Sequence, residues 1–211
     1  MRTDLSAPYL VALPKSDGGV LSVLAGTDRP LSGREVARLS GGSRSTVARV
    51  LRRLAEHGLV NVQEAGAGVA LLYSLNREHL ASDPIVNLLG LRRRLFDRLA
   101  AELEGWPVPP LHASIFGSAA RGDGGTSSDI DLFIVRPSVI DAEDARWRGH
   151  LDRLPNLILI WTGNHAGIAE VSMEDVTRLG RTRATIMEDL ERDAITVLGQ
   201  PVRELLGRSP A

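Results

Sequence analysis

Ser114–Val135 reads SIFGSAARGDGGTSSDIDLFIV, and it holds the residue types and spacing best suited to chemistry. An apolar strand is expected to end at Gly117-Ser118, where a short helix begins. Gly117 lets a phosphate approach the backbone closely. Ser118 puts a hydroxyl and an N–H at a helix start, where free amides favour an anion. After a gap of ten residues come Asp129-Ile130-Asp131-Leu132, running into Phe133-Ile134-Val135. Residues i and i+2 of a strand share a face, so Asp129 and Asp131 are expected to point the same way. Two carboxylates beside a phosphate cradle form a hard oxygen site suited to Mg²⁺, with Mn²⁺ as a second candidate. Two such ions bind leaving phosphates and activate an attacking oxygen. The bland alternative is a turn followed by an exposed strand start. It would leave two acids poorly placed before an apolar strand unless they are paired or metal-bound.

This order of a hydrophobic residue, Gly-Ser, a ten-residue gap and Asp-x-Asp resembles the polymerase-beta-like nucleotidyltransferases. It is most similar to their minimal branch, of the antitoxin and kanamycin nucleotidyltransferase type. The resemblance implies that Gly117 and Ser118 hold the β and γ phosphates of a nucleoside triphosphate and that Asp129 and Asp131 ligate the metal. It further implies that Arg121 lies near the triphosphate and that Ser128 orients the first metal carboxylate. Active members of this family add a third carboxylate from a later strand. The candidate here is Glu170 in AGIAEVS, on a strand face shared with Ile168 and Ser172. Asp129, Asp131 and Glu170 are then the expected catalytic set. The implied reaction is transfer of a nucleoside monophosphate from NTP to an acceptor hydroxyl, with release of pyrophosphate. A salt-bridge role for Arg121 and an edge position for Glu170 are the alternatives.

The elements before this stretch suggest a second module. Ser32 and Glu35 are spaced as a capping box ahead of a short helix that stops at Gly41-Gly42. Ser43 can cap a third helix, whose Val47, Val50, Leu51 and Leu54 recur at i, i+3, i+4 and i+7. Strands are expected over Leu59–Gln63 and Ala70–Leu75, around a turn at residues 64–68. Helix, helix, longer helix and hairpin in this order resemble the MarR/ArsR-like winged helix-turn-helix regulators. The first turn of their recognition helix meets base edges, so Ser43, Arg44, Ser45, Thr46 and Arg49 are the expected contacts to double-stranded DNA. The alternative is a winged helix used only for protein contact or dimerisation.

The fold expected is α+β, with a winged helix-turn-helix over residues 1–82 and a connecting helix within 83–106. A mixed nucleotidyltransferase sheet flanked by helices follows over 107–211. Its remaining elements are read as a helix over Asp141–Leu154, strands at Asn156–Trp161 and Ile168–Val171, and a helix over Arg183–Leu198. Residues 1–82 carry a net charge of +3 and the rest −4, which suggests different partners for the two halves.

The 211 residues contain no cysteine, which excludes disulfides, thiolate zinc sites and cysteine nucleophiles. No apolar run reaches the ~20 residues of a bilayer span, and the opening MRTDLSAPYL lacks the pattern of a secretory leader. A cytoplasmic protein without a membrane partner is expected. A homodimer partner and a protein acceptor are further expectations. Two functions stay open: a nucleotidyltransferase coupled to DNA binding in transcription regulation or in a toxin–antitoxin or defence context, or a transcription regulator whose rear domain only senses nucleotide. Glu170 discriminates between them, because the second gains if it points away from Asp129 and Asp131.

Overall fold

The computed structural model describes residues 2–64, 71–182 and 185–205. They form two compact units. One comprises residues 7–91, and the other joins residues 1–6 to everything from Arg92 onward. Residues 2–6, read from sequence as part of the front module, therefore pack with the rear one.

In the unit of residues 7–91, helices α1 (Lys15–Ala25), α2 (Gly33–Ser40) and α3 (Arg44–Glu56) pack with a small antiparallel sheet. Its strands β1 (Leu31–Ser32), β3 (Leu71–Leu75) and β2 (Val60–Glu64) lie in that order. The capping box forms: the Ser32 hydroxyl accepts from the Glu35 N–H, and the Glu35 carboxylate accepts from the Ser32 N–H. These bonds, together with Arg29, hold the Glu35 carboxyl down at about 2. Val47, Val50, Leu51 and Leu54 are buried against Val20, Leu21, Leu24, Leu31 and Val36, the helical spacing seen in the sequence. Most of the turn expected at residues 64–68 lies outside the described residues. Helix α4 (Ser82–Leu89) ends at Gly90, and α5 runs over Leu91–Glu104. The single connecting helix expected from sequence is thus two helices.

The second unit is built on a four-stranded mixed sheet of order β6-β5-β4-β7. Its strands are β4 (His112–Phe116), β5 (Ile130–Arg136), β6 (Ala166–Ser172) and β7 (Ile195–Gly199). β5 and β6 run parallel, and the other pairs are antiparallel. Alternation divides β5 cleanly. Ile130, Leu132 and Ile134 pack with residues of α5 and of α7 (Ala145–Thr162), while Phe133 and Val135 pack with Val176, Met187 and Leu190. Those last three belong to α8 (Met173–Thr182) and α9 (Thr185–Asp193). The sheet is therefore covered on both faces, which is why β5 is almost continuously apolar.

Two segments differ from expectation. The strand read at Asn156–Trp161 is the second half of α7, which continues through Pro155. Leu151, Leu154, Ile158 and Trp161 all meet the core at helical spacing, whereas Ile160 is exposed. The helix read over Arg183–Leu198 is α9 followed by strand β7; Arg183 and Ala184 lie outside the described residues. A last short helix, α10, covers Val202–Leu205. No helix among the described residues is long and apolar enough to cross a membrane.

Candidate functional site

β4 ends at Phe116, and the chain turns at Gly117 into the five-residue helix α6 (Gly117–Arg121). Gly117 has φ of +67°, a conformation that costs a side-chain-bearing residue ~1–2 kcal/mol. A Cβ there would also lie 3.0 Å from Oδ2 of Asp131. On the other side, a Cβ on Gly167 would lie 3.3 Å from Asp131 Oδ1, because Gly167 is the register partner of Asp131 on β6. The carboxylate of Asp131 thus fits between two residues that lack side chains.

Asp129 stands just before β5 and is 58% exposed. Burial pushes the Asp131 carboxyl above its ordinary range, and the charge of Asp129 pushes it further the same way. The two carboxylates therefore feel each other, as the i, i+2 spacing requires. A site that destabilises its own anions in this way gains when a cation binds. The loop between α6 and β5 returns over the bend. A Cβ on Gly124 would lie 2.9 Å from the Ser118 hydroxyl and 3.2 Å from Ser128 Cβ. Gly117, Ser118, Gly124, Ser128, Asp129 and Asp131 are gathered in one place.

Residues 19–64 match the family described as the IclR helix-turn-helix domain. Residues 100–159 match the family described as the nucleotidyltransferase domain, a range that spans the glycine bend and both aspartates. The chain joins an IclR-type helix-turn-helix to a nucleotidyltransferase domain. No curated protein matches it. Among solved structures, it is similar to wild-type Lactococcus lactis ZitR in complex with DNA, at 17% identity and a TM-score of 0.32. That likeness covers 43% of this chain and 62% of the ZitR chain. Lactococcus lactis ZitR described as a zinc-responsive MarR family member gives 20% identity, 41% and 62% coverage, and a TM-score of 0.30. This chain therefore spans a little under two thirds of the ZitR chains it matches. A toxin-antitoxin with AMP-PNP gives 14% identity, 53% and 81% coverage, and a TM-score of 0.35.

Within the nucleotidyltransferase domain, two sequence expectations are corrected by the geometry. Glu170 is not brought to the aspartates. It is in register with Ile134, on the face of β6 that carries Ile168, while Gly167, Ala169 and Val171 share the Asp131 face. Its carboxylate accepts from Arg136 Nε at 2.7 Å and from Trp147 Nε1 at 3.3 Å. Strand parity is the reason: a carboxylate on the Asp131 face would need an odd-numbered position of β6, and those are Gly, Ala and Val. Among the described residues no group of three or more His, Asp or Glu is set to hold a metal. Arg121 also points elsewhere. It donates to Asp123 at 3.0 Å and to Asp193 at 2.8 Å, and the Asp193 side chain is only 7% exposed. Its two carboxylate partners make it a structural tie between α6 and the end of α9.

Sequence reasoning missed the N-terminal segment. Arg2 donates to the Ser127 carbonyl at 3.2 Å and lies 3.8 Å from Asp129. Asn164, buried to 1% exposure, accepts from the Thr3 N–H and donates to the carbonyls of Thr3 and Ser128. These pairs lie more than 120 residues apart in some cases, and no local pattern announces them.

In the helix-turn-helix unit, Ser43 caps α3 and accepts from the Thr46 N–H. Its hydroxyl also bonds the hydroxyls of Ser45 and Thr46. Arg44, Ser45, Arg49 and Arg52 are exposed, opposite the buried Val47, Val50, Leu51 and Leu54. Among the described residues Arg44, Arg49 and Arg52 make no ion pair, whereas Arg53 is paired with Asp17.

Proposed function

We propose that this chain is a DNA-binding regulator whose nucleotidyltransferase domain binds a metal–nucleoside triphosphate. The observation that carries the reading is the Asp131 carboxylate, lodged against the Gly117 bend and repelled by Asp129. The donor set fits a hard divalent cation, Mg²⁺ or Mn²⁺, held by Asp129 and Asp131. When bound, such an ion neutralises phosphate oxygens and the charge that develops on a leaving pyrophosphate. Gly117 leaves room for the Asp131 carboxylate, and the Ser118 hydroxyl and Ser128 lie against Gly124 in the same loop. The free arginines of α3, with Ser43, Ser45 and Thr46 at its first turn, support contact with duplex DNA, read by two copies of the chain at paired half-sites.

Transfer of the nucleoside monophosphate to an acceptor hydroxyl, on a protein among other candidates, is the second reading. The two aspartates and the domain family favour it. Glu170 weighs against it, since the expected base lies on the other face of the sheet. A missing general base costs ~10²–10⁴-fold in rate and nothing in binding. Holding a nucleotide is therefore better supported than turning it over.

The deciding experiment incubates the full chain with labelled ATP, CTP, GTP and UTP and Mg²⁺, with and without cell lysate. Retention of label as intact NTP supports the regulator. Label joined covalently to an acceptor, with pyrophosphate released, establishes the transferase in its place. If wild type retains no NTP and Asp129→Ala and Asp131→Ala change nothing, the site assignment is wrong.

A further inference from the structure

Three arginines stand beside the glycine loop, and two are anchored through two nitrogens each. Arg121 spends its Nε and one terminal nitrogen on Asp123 and Asp193. Arg92, on α5, spends its Nε and a terminal nitrogen on the carbonyls of Ala119 and Ala120 in α6. Arg2 differs. Both of its contacts, to the Ser127 carbonyl and at 3.8 Å to Asp129, use the same terminal nitrogen. A guanidinium carries five N–H donors in a planar fork that fits phosphate. Among the described residues the remaining donors of Arg2 have no partner, and its side chain is 34% exposed.

The segment bearing Arg2 is fixed in place. The Thr3 N–H and hydroxyl both donate to the Thr162 carbonyl, at 3.0 and 2.8 Å. Asn164 bonds Thr3 on both its N–H and its carbonyl, and reaches Ser128 with the same side chain. Leu5 is buried in the core under the sheet, and the Ser6 N–H donates to the Gly124 carbonyl at 3.3 Å. The strap is thus bonded to the loop that carries Ser127, Ser128 and Asp129, and it presents one charged group there. Holding a cation with unused donors next to a weakly held carboxylate gains little as an ion pair. It gains far more as a clamp on a dianionic phosphate, where charge-assisted bidentate bonds are the strong ones.

We infer that Arg2 is a triphosphate-binding residue of this site, taking the role that the family resemblance implied for Arg121. The inference rests on the metal–nucleotide reading above. Asp129, when it engages a divalent cation, no longer attracts Arg2, whose fork is then available to phosphate while Ser127 retains one nitrogen. The strap is therefore part of the nucleotide site.

Calorimetry tests this with the full chain and three probes: Mg²⁺ with the β,γ-imido analogue of ATP, Mg²⁺ alone, and adenosine. Arg2→Ala is expected to weaken the imido analogue by about tenfold or more, as loss of a charge-assisted phosphate contact does. Adenosine and Mg²⁺ alone should bind as in wild type or, for Mg²⁺, more tightly. Arg2→Lys, which keeps charge but loses the fork, should fall between. Unchanged or tighter binding of the analogue to Arg2→Ala overturns the assignment, and tighter binding of both analogue and Mg²⁺ would make the strap a plug instead. If wild type binds no analogue and retains none of the four labelled NTPs, the metal–nucleotide reading itself fails, a result distinct from equal binding by wild type and variant.

Discussion

Asp131 and Glu170 lie on opposite faces of the paired strands β5 and β6, the first beside Gly167 and the second beside Ile134. Glu170 joins Arg136 to Trp147, and both members of the Glu170–Arg136 pair are mostly shielded from solvent. Its role is therefore to satisfy a guanidinium and an indole N–H under α7.

A Glu170→Gln variant follows from this. It should lose about 1–3 kcal/mol of stability, because Arg136 keeps its position but loses its charged acceptor. Binding of Mg²⁺ and of NTP should be unchanged. Chemical denaturation and calorimetry on the same preparation check both halves. A variant of full stability that has lost nucleotide binding would return Glu170 to the site.

Asp131 should behave in the opposite sense. Its carboxyl titrates above the ordinary aspartate range, so the folded state resists its ionisation. The stability associated with the protonated form is complete below the ordinary range and is lost as pH rises through the raised value. Asp131→Asn removes that cost. At neutral pH and without metal, the variant should melt above wild type, with the gap closing as pH falls below the carboxylate range. Added Mg²⁺ should raise the melting temperature of wild type, by about 2.7 kcal/mol of stabilisation at a hundred times its Kd, and leave Asp131→Asn unmoved. Thermal melts across pH with and without Mg²⁺ measure this.

Gly117 is the next position under constraint. Gly117→Ala places a Cβ in a left-handed backbone and 3.0 Å from Asp131 Oδ2. The conformational part costs ~1–2 kcal/mol, and the contact turns the carboxylate away from Asp129. Stability and Mg²⁺ affinity should fall together. Gly125→Ala is the control, since a Cβ there meets nothing within 4 Å. Equal Mg²⁺ affinity in the two variants would show that the bend does not set the carboxylate.

The parts legible in the sequence are those with local rules. Asp129 and Asp131 are two apart at the start of β5, so the expectation that they face the same way needs no knowledge of the fold. The capping box at Ser32–Glu35 and the apolar spacing of α3 are equally local. Glu170 was misplaced because its face depends on the register between β5 and β6, which no residue pattern states. The half of α7 after Pro155 reads as a strand because Leu157-Ile158-Leu159-Ile160-Trp161 is an unbroken apolar run, and short runs of that kind do not distinguish strand from helix. Arg2 is silent for a simpler reason: its partners are set by the tertiary fold.

The helix-turn-helix surface gives the last prediction. Arg44 and Arg49 are exposed on α3 without ion pairs among the described residues, whereas Arg53 is engaged by Asp17. Each arginine that meets a backbone phosphate releases about one counterion, so the log–log slope of affinity against salt falls by about 0.9 when one is removed. Arg44→Ala and Arg49→Ala should each weaken duplex binding and flatten that slope by about one unit. An arginine bidentate to guanine would instead cost ~1–3 kcal/mol at one base position and relax preference there. Arg53→Ala should alter stability more than it alters the slope, because its charge is already paired. Fluorescence anisotropy with a random duplex pool over a range of salt measures all three, and a wild-type affinity that does not change with salt would remove DNA from the account.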